Sequence, residues 1–146
     1  MAGNLNPERP VDFPTKNEED EWIHCQDESG KHLDKVPGDK AGKWLIFAPF
    51  RLIDPLWYSV CIATRKGDLG YASKVSTAMG DDEYDWETKV ICVYTYDWTD
   101  EADVMRVRSA LDRMGFTQRL SYKTNADSLA GKYSHRGHKR IAKYYV

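Results

Sequence analysis

Apolar and polar residues alternate in two rhythms along this chain, and the changes of rhythm mark its elements. From Lys89 to Thr95 the run Lys-Val-Ile-Cys-Val-Tyr-Thr puts β-branched and aromatic residues on both alternating sets of positions. That pattern predicts a central strand covered on both faces. Asp97-Trp-Thr-Asp100 then supplies capping side chains, and Asp100, Glu101 and Asp103 bring negative charge to a helix N-terminus. Val104, Val107, Leu111 and Met114 recur at helical spacing and form one apolar stripe. Arg106, Arg108, Asp112 and Arg113 fall off that stripe, so Arg108 is expected on the solvent side. Gly115 stands where a helix ends. From Arg119 to Lys123 polar and apolar residues alternate, as in a half-buried strand.

The same reading extends to the rest of the chain. Glu21–Gln26 and Lys43–Ala48 read as strands, separated by a charged loop with Gly30, Pro37 and Gly38. Asp54-Pro55 reads as an N-cap followed by a first-turn proline, opening a helix to about Lys66 with Leu56, Trp57, Val60, Cys61 and Thr64 inward. Tyr71–Thr77 predicts a third strand, residues 79–87 an acidic connection, and Ile141–Val146 a closing edge strand. The order β-β-α-β-β-α-β-β predicts an α+β fold: a curved, mainly antiparallel sheet backed by helices on one face. Residues 1–19, polar and holding Pro7, Pro10 and Pro14, are expected to form a flexible N-terminal arm, with residues 20–146 as a single domain.

Composition narrows the function classes. A formal net charge of -2 argues against a histone-like polyanion binder, although residues 132–143 are basic without a single acid. Three cysteines, Cys25, Cys61 and Cys92, have no CxxC spacing. They read as small core residues of a protein in a reducing compartment rather than as a disulfide framework or zinc site. No signal pattern and no membrane-length apolar run is present, which predicts a cytoplasmic protein without a membrane partner. There is no Gly-x-Ser-x-Gly, no HExxH and no phosphate-cradling glycine loop, so no catalytic residue, metal or cofactor is assigned.

Two constellations carry chemistry. Alternation puts Lys74 and Ser76 on one face of their strand, and Arg119, Ser121 and Lys123 on one face of theirs. With helices on the other side of the sheet, these cations and hydroxyls share its concave face, where they suit a phosphate. A solvated sheet face with scattered lysines would look the same in sequence. Lys132, Tyr133 and Arg136, in a basic stretch interleaved with aromatics, would border such a ligand. Trp22 or Trp86 could stack on a ring. His135 and His138 have no neighbouring acid or cysteine and do not read as metal ligands.

Gly42-Lys-Trp-Leu-Ile46, Asp54-Pro-Leu-Trp57, Lys89–Thr95 and Ala126-Asp127 together resemble the translation initiation factor 4E fold from about Ala41 onward. More closely, Lys74-Val-Ser-Thr77, the run Val93–Glu101 and Tyr122-Lys-Thr-Asn-Ala-Asp127 resemble the basophilic-leukaemia-expressed protein family. That family is a domain of unknown function, sometimes labelled a phosphothreonine lyase. The resemblance implies a curved sheet and a ligand on its concave face. The chain has no Trp-Glu pair in the loop before Lys43, where the cap-binding relatives read guanine. The expected function is a binding module for a phosphate-bearing ligand, a nucleotide or nucleotide-derived signal, with RNA a further candidate partner. The alternatives are a phosphothreonine-lyase-like enzyme, in which Lys74 would be the base, and a module binding a protein on its helix backs. The lyases place a His two residues after their lysine, where this chain has Ser76.

Overall fold

The computed structural model describes residues 9–79, 87–129 and 143–146. Its strands are β1 (Trp22–Gln26), β2 (Gly42–Pro49), β3 (Ala72–Ser76), β4 (Thr88–Thr95), β5 (Ser121–Thr124) and β6 (Tyr144–Tyr145). The helices are α1 (Ile53–Arg65), α2 (Glu101–Arg113) and the short α3 (Asn125–Leu129). The strands form one antiparallel sheet in the order β1-β3-β4-β2-β5-β6. This is the expected α+β architecture, a curved sheet backed by helices. No described helix is long and apolar enough to cross a membrane.

Register decides which side chains enter the core. Trp44 faces Val93 and Ile46 faces Ile91 across β2 and β4, Tyr122 faces Trp44 across β2 and β5, and Val75 faces Ile91 across β3 and β4. All of these are fully buried, together with Trp57 and Val60 of α1 and Val104, Val107 and Leu111 of α2. The Trp44 indole N–H donates to the Val104 carbonyl at 3.1 Å, joining the central strand to α2. Asp100 caps α2 by accepting from the Asp103 N–H at 3.2 Å. Gly67 and Gly115, at φ 79° and 107°, follow α1 and α2 in the left-handed conformation that glycine tolerates best.

Two local expectations are corrected. Arg108 does not face solvent: it is buried, and its guanidinium donates to the carbonyls of Val146 (3.0 Å), Phe116 (3.0 Å) and Gln118 (2.8 Å). Stripe counting misses this, because a long side chain can swing over a helix edge and satisfy carbonyls left by the following turn. Asp54 is not the cap of α1. A 3-10 turn at Phe50–Leu52 leads into the helix, and the Asp54 carboxylate instead accepts from the N–H and hydroxyl of Thr15. Residues 9–19 also touch the rest of the domain, Thr15 through that carboxylate. Pro14 is buried, Ala78 N–H donates to the Pro14 carbonyl at 3.0 Å, and Arg65 donates to the carbonyls of Arg9 and Pro10.

Candidate functional site

The face of the sheet away from α1 and α2 carries Lys43, Leu45 and Phe47 from β2, Cys92 and Tyr94 from β4, and Lys74 and Ser76 from β3. Trp22 and His24 of β1 and Lys123 of β5 share it. The ladder fixes this grouping: Lys74 is opposite Cys92, Cys92 opposite Leu45, Tyr94 opposite Lys43, and Lys43 opposite Lys123. Adjacent strands lie about 4.8 Å apart, so Lys74 neighbours Cys92 directly, Lys43 stands diagonally from it on β2, and Lys123 lies one strand further off.

Burial and charge describe this cluster consistently. Cys92 is 3% exposed, and burial pushes its thiol up to about 11, against the opposing pull of Lys74, Lys43 and Lys123. Burial also lowers the pKa of Lys43, and the charges of Lys74 and Lys123 lower it further. Burial is the main cause of the lowering at Lys123, opposed by Asp127. The Lys43 ammonium lies 3.4 Å from the Asn125 side-chain oxygen and 5.5 Å from the centroid of Tyr94. Lys74 lies 3.8 Å from the centroid of Trp22. Neither Lys43 nor Lys74 forms an ion pair with a described carboxylate.

A cleft of about 370 Å³ opens beside the cluster, where the β1–β2 loop passes the ends of β3 and β4. Tyr71, Tyr96, His32, Lys35 and Gln26 line it. Its rings adjoin one another: Tyr71 is 5.3 Å from Tyr96 and 5.6 Å from Tyr94, and His32 is 6.0 Å from Tyr96. Burial is the main cause that raises the phenol pKa of Tyr71, Tyr94 and Tyr96, so at neutral pH all three present neutral rings and hydroxyls. The loop is fixed at two points. A His32 ring nitrogen sits 2.9 Å from the Gly67 carbonyl, and Lys35 pairs with Asp103 at 3.0 Å, a carboxylate also held by Arg106.

The residues singled out from sequence separate into three groups. Lys74, Lys123, Ser76 and Trp22 share the face away from α1 and α2, where Lys123 is buried and the Ser76 hydroxyl oxygen accepts the Val90 N–H at 3.0 Å, so that it also serves the ladder. Arg119 lies apart. It is exposed, precedes β5, and its guanidinium sits 5.5 Å from the Tyr145 ring, about 13 Å along the chain from Lys123 at strand spacing. Lys132, Tyr133, Arg136 and Trp86 lie outside the described residues. Sequence reasoning overlooked Lys43, Tyr71, Tyr94 and Asn125. Alternation within β2 held the signal for Lys43, because a buried Trp44 and Ile46 force Lys43 onto the opposite face. Nothing local marked Asn125, which reaches the site from the first turn of α3. Among the described residues no three His, Cys, Asp or Glu side chains gather as metal ligands.

Residues 32–128 match the family model described as basophilic leukemia-expressed protein Bles03, a span well over half of the chain. The chain belongs to the Bles03 family. Two solved structures resemble this Bles03-family chain. One is schistosome eIF4E complexed with m7GpppA and 4E-BP, with a TM-score of 0.56 and 14% identity. The other is schistosome eIF4E complexed with m7GpppG and 4E-BP, with a TM-score of 0.55 and 15% identity. Each alignment covers 78% of this chain and 66% of the eIF4E chain, so the chain spans just under two thirds of their length. At such identity the likeness concerns the fold, and the Bles03-family chain has an eIF4E-like fold.

Proposed function

We propose that the open face of the sheet binds a phosphate-bearing ligand, a nucleotide or nucleotide-derived signal. The observation that carries this reading is that Lys43 and Lys74, partly desolvated and beside Lys123, have no described carboxylate as counter-ion. Gathering like charges on a half-buried surface costs folding energy, and an anionic ligand offsets that cost. Phosphate suits it because its oxygens accept several charge-assisted hydrogen bonds at once. The adjoining cleft, walled by Tyr71 and Tyr96, is the place for the ring of such a ligand, since tyrosine faces stack on any base. That the eIF4E structures of like fold were solved with m7GpppA and m7GpppG supports a nucleotide over a bare phosphate. Trp22 acts here by backing Lys74 rather than by holding the ring itself.

The test is a titration of the purified chain with adenosine and guanosine mono-, di- and triphosphates, followed by tryptophan fluorescence and calorimetry. Lys74→Ala and Lys43→Ala should each weaken binding roughly ten- to a hundred-fold, as loss of one charge-assisted hydrogen bond implies. The unphosphorylated nucleosides should bind far more weakly than the nucleotides. Equal affinity of wild type and both variants for the phosphorylated ligands would overturn the reading.

A further inference from the structure

Cys25 and Cys61 meet where β1 packs on α1, on the core side of the sheet. The Cys61 thiol donates to the Cys25 sulfur, with the two Sγ atoms 3.0 Å apart, and the Cys25 thiol donates to the Cys61 carbonyl at 3.3 Å. Both thiols are free and buried. One turn further along α1, Arg65 is also buried. Its terminal nitrogens donate to the carbonyls of Arg9 (3.0 Å) and Pro10 (3.1 Å), while its Nε has no hydrogen-bond partner. Two touching thiols with a buried cation beside them make a different environment from that of Cys92, whose ladder neighbours are Lys74 and Leu45.

We propose that Cys25 and Cys61 form a reversible disulfide when the protein meets hydrogen peroxide, fastening the edge strand β1 to helix α1. Cys25 is the attacking thiol. The hydrogen bond from Cys61 is the largest influence holding its pKa below the ordinary thiol value, and the Arg65 charge adds to it against the effect of burial. Its thiolate attacks one peroxide oxygen: an S–O bond forms, the O–O bond breaks, and the departing hydroxide takes up the proton Cys25 released, giving water. Cys61 then attacks the Cys25 sulfur. The S–S bond forms, the S–O bond breaks, and the hydroxyl leaves with the Cys61 proton as a second water. The thiol pair loses two electrons and the peroxide gains them. Because the sulfurs already touch, closing the bond asks for a shift of about 1 Å, within the reach of side-chain rotation.

The mechanical effect falls on one edge of the sheet. Among the described residues β1 has a strand neighbour, β3, on one side only, and it carries Trp22 beneath Lys74. A covalent tie to α1 closes the long loop between the two cysteines and holds that edge against fraying. The cysteine pair lies in the core on the helix side of the sheet, opposite the face proposed for the ligand.

The experiment exposes the full chain to hydrogen peroxide, quenches it, unfolds and alkylates it, and maps the peptides by mass spectrometry. The expected result is a Cys25–Cys61 cross-linked peptide that dithiothreitol reverses, with Cys92 recovered as an alkylated thiol. The oxidised protein should melt several degrees higher, and the amides of β1 should exchange more slowly. Under the same treatment Cys61→Ala should form no internal cross-link and accumulate oxygenated Cys25. If Cys61→Ala does not fold, the wild-type map decides alone. Recovery of Cys25 and Cys61 as free thiols under peroxide that oxidises Cys92, or cross-links only between molecules, would overturn the proposal.

Discussion

Lys74 holds its ammonium 3.8 Å from the centroid of the Trp22 ring, so the edge strand and its neighbour are joined on the open face by a cation–π contact. Such a contact is worth about 0.5–2 kcal/mol depending on solvation, and it keeps the ammonium over the sheet instead of in bulk water. The indole is thereby a reporter of whatever draws Lys74 away.

From that pairing follows the first expectation. A phosphate that recruits Lys74 should change Trp22 emission on binding. Trp22→Phe keeps an aromatic face under the lysine, so its affinity should fall by no more than about threefold, less than 1 kcal/mol. The ligand-induced fluorescence change should nevertheless vanish. An undiminished signal in Trp22→Phe would assign the reporting tryptophan elsewhere.

Arg108 supplies the second. Leu111→Ala removes fully buried methyl groups of α2 and should cost about 2–5 kcal/mol. Arg108→Ala, harmless if the side chain faced water, takes the donor from the Phe116 and Gln118 carbonyls after α2, while the Val146 oxygen keeps the Leu120 N–H, and should cost about 2–4 kcal/mol. Arg108→Lys should recover little, because one ammonium cannot span all three acceptors. Urea denaturation curves of the three variants check this, and a loss below about 0.5 kcal/mol for Arg108→Ala would count against the role.

The third concerns pH. The pKa of Lys43 is lowered in the fold, chiefly by burial and then by Lys74 and Lys123. The unfolded chain therefore binds this proton more readily, and the Lys43 contribution to stability rises with pH from the lowered folded value up to the unfolded value of about 10.4. Below that window the full penalty for holding the charge remains. Lys43→Met should accordingly raise the melting temperature at pH 7, and its advantage should shrink toward pH 10. Phosphate affinity should fall across the same window in wild type, as Lys43 loses its proton. A constant difference in melting temperature between pH 7 and 10 would remove the electrostatic explanation.

The fourth is steric. Gly42 begins β2 directly beneath Tyr122, and a Cβ placed there would overlap the phenol ring. The Tyr122 hydroxyl is held by Thr95 at 2.7 Å, so the ring cannot move aside freely. Gly42→Ala should cost about 1–3 kcal/mol. Combining it with Tyr122→Leu should cost less than the sum of the two single changes, which a double-mutant cycle measures.

The sheet order and the helix faces were largely legible because periodicity records burial. Trp44, Ile46, Ile91 and Val93 announce the core face of the two central strands, and Val104, Val107 and Leu111 the inner face of α2. Lys74 and Lys123 could be placed on one side from alternation alone. What remained hidden was set by long side chains and by register between distant segments. Arg108 turns inward to carbonyls that no local pattern reveals, and Thr15 occupies the Asp54 carboxylate from well outside α1. The cleft could not be read either, since Tyr71, Tyr96 and His32 come from three separate connections and meet only once the strands are in register.

The sheet order also has consequences in time. β2 lies at the centre, yet Gly42 must find Thr95 on one side and Thr124 on the other, so the middle of the sheet closes only after most of the chain has been made. Contacts this distant in sequence make for slow folding, on the order of milliseconds to seconds rather than microseconds. On the ribosome, Trp44 and Ile46 must wait for partners with their apolar faces uncovered. That interval, more than the finished structure, is when this protein has most need of a chaperone.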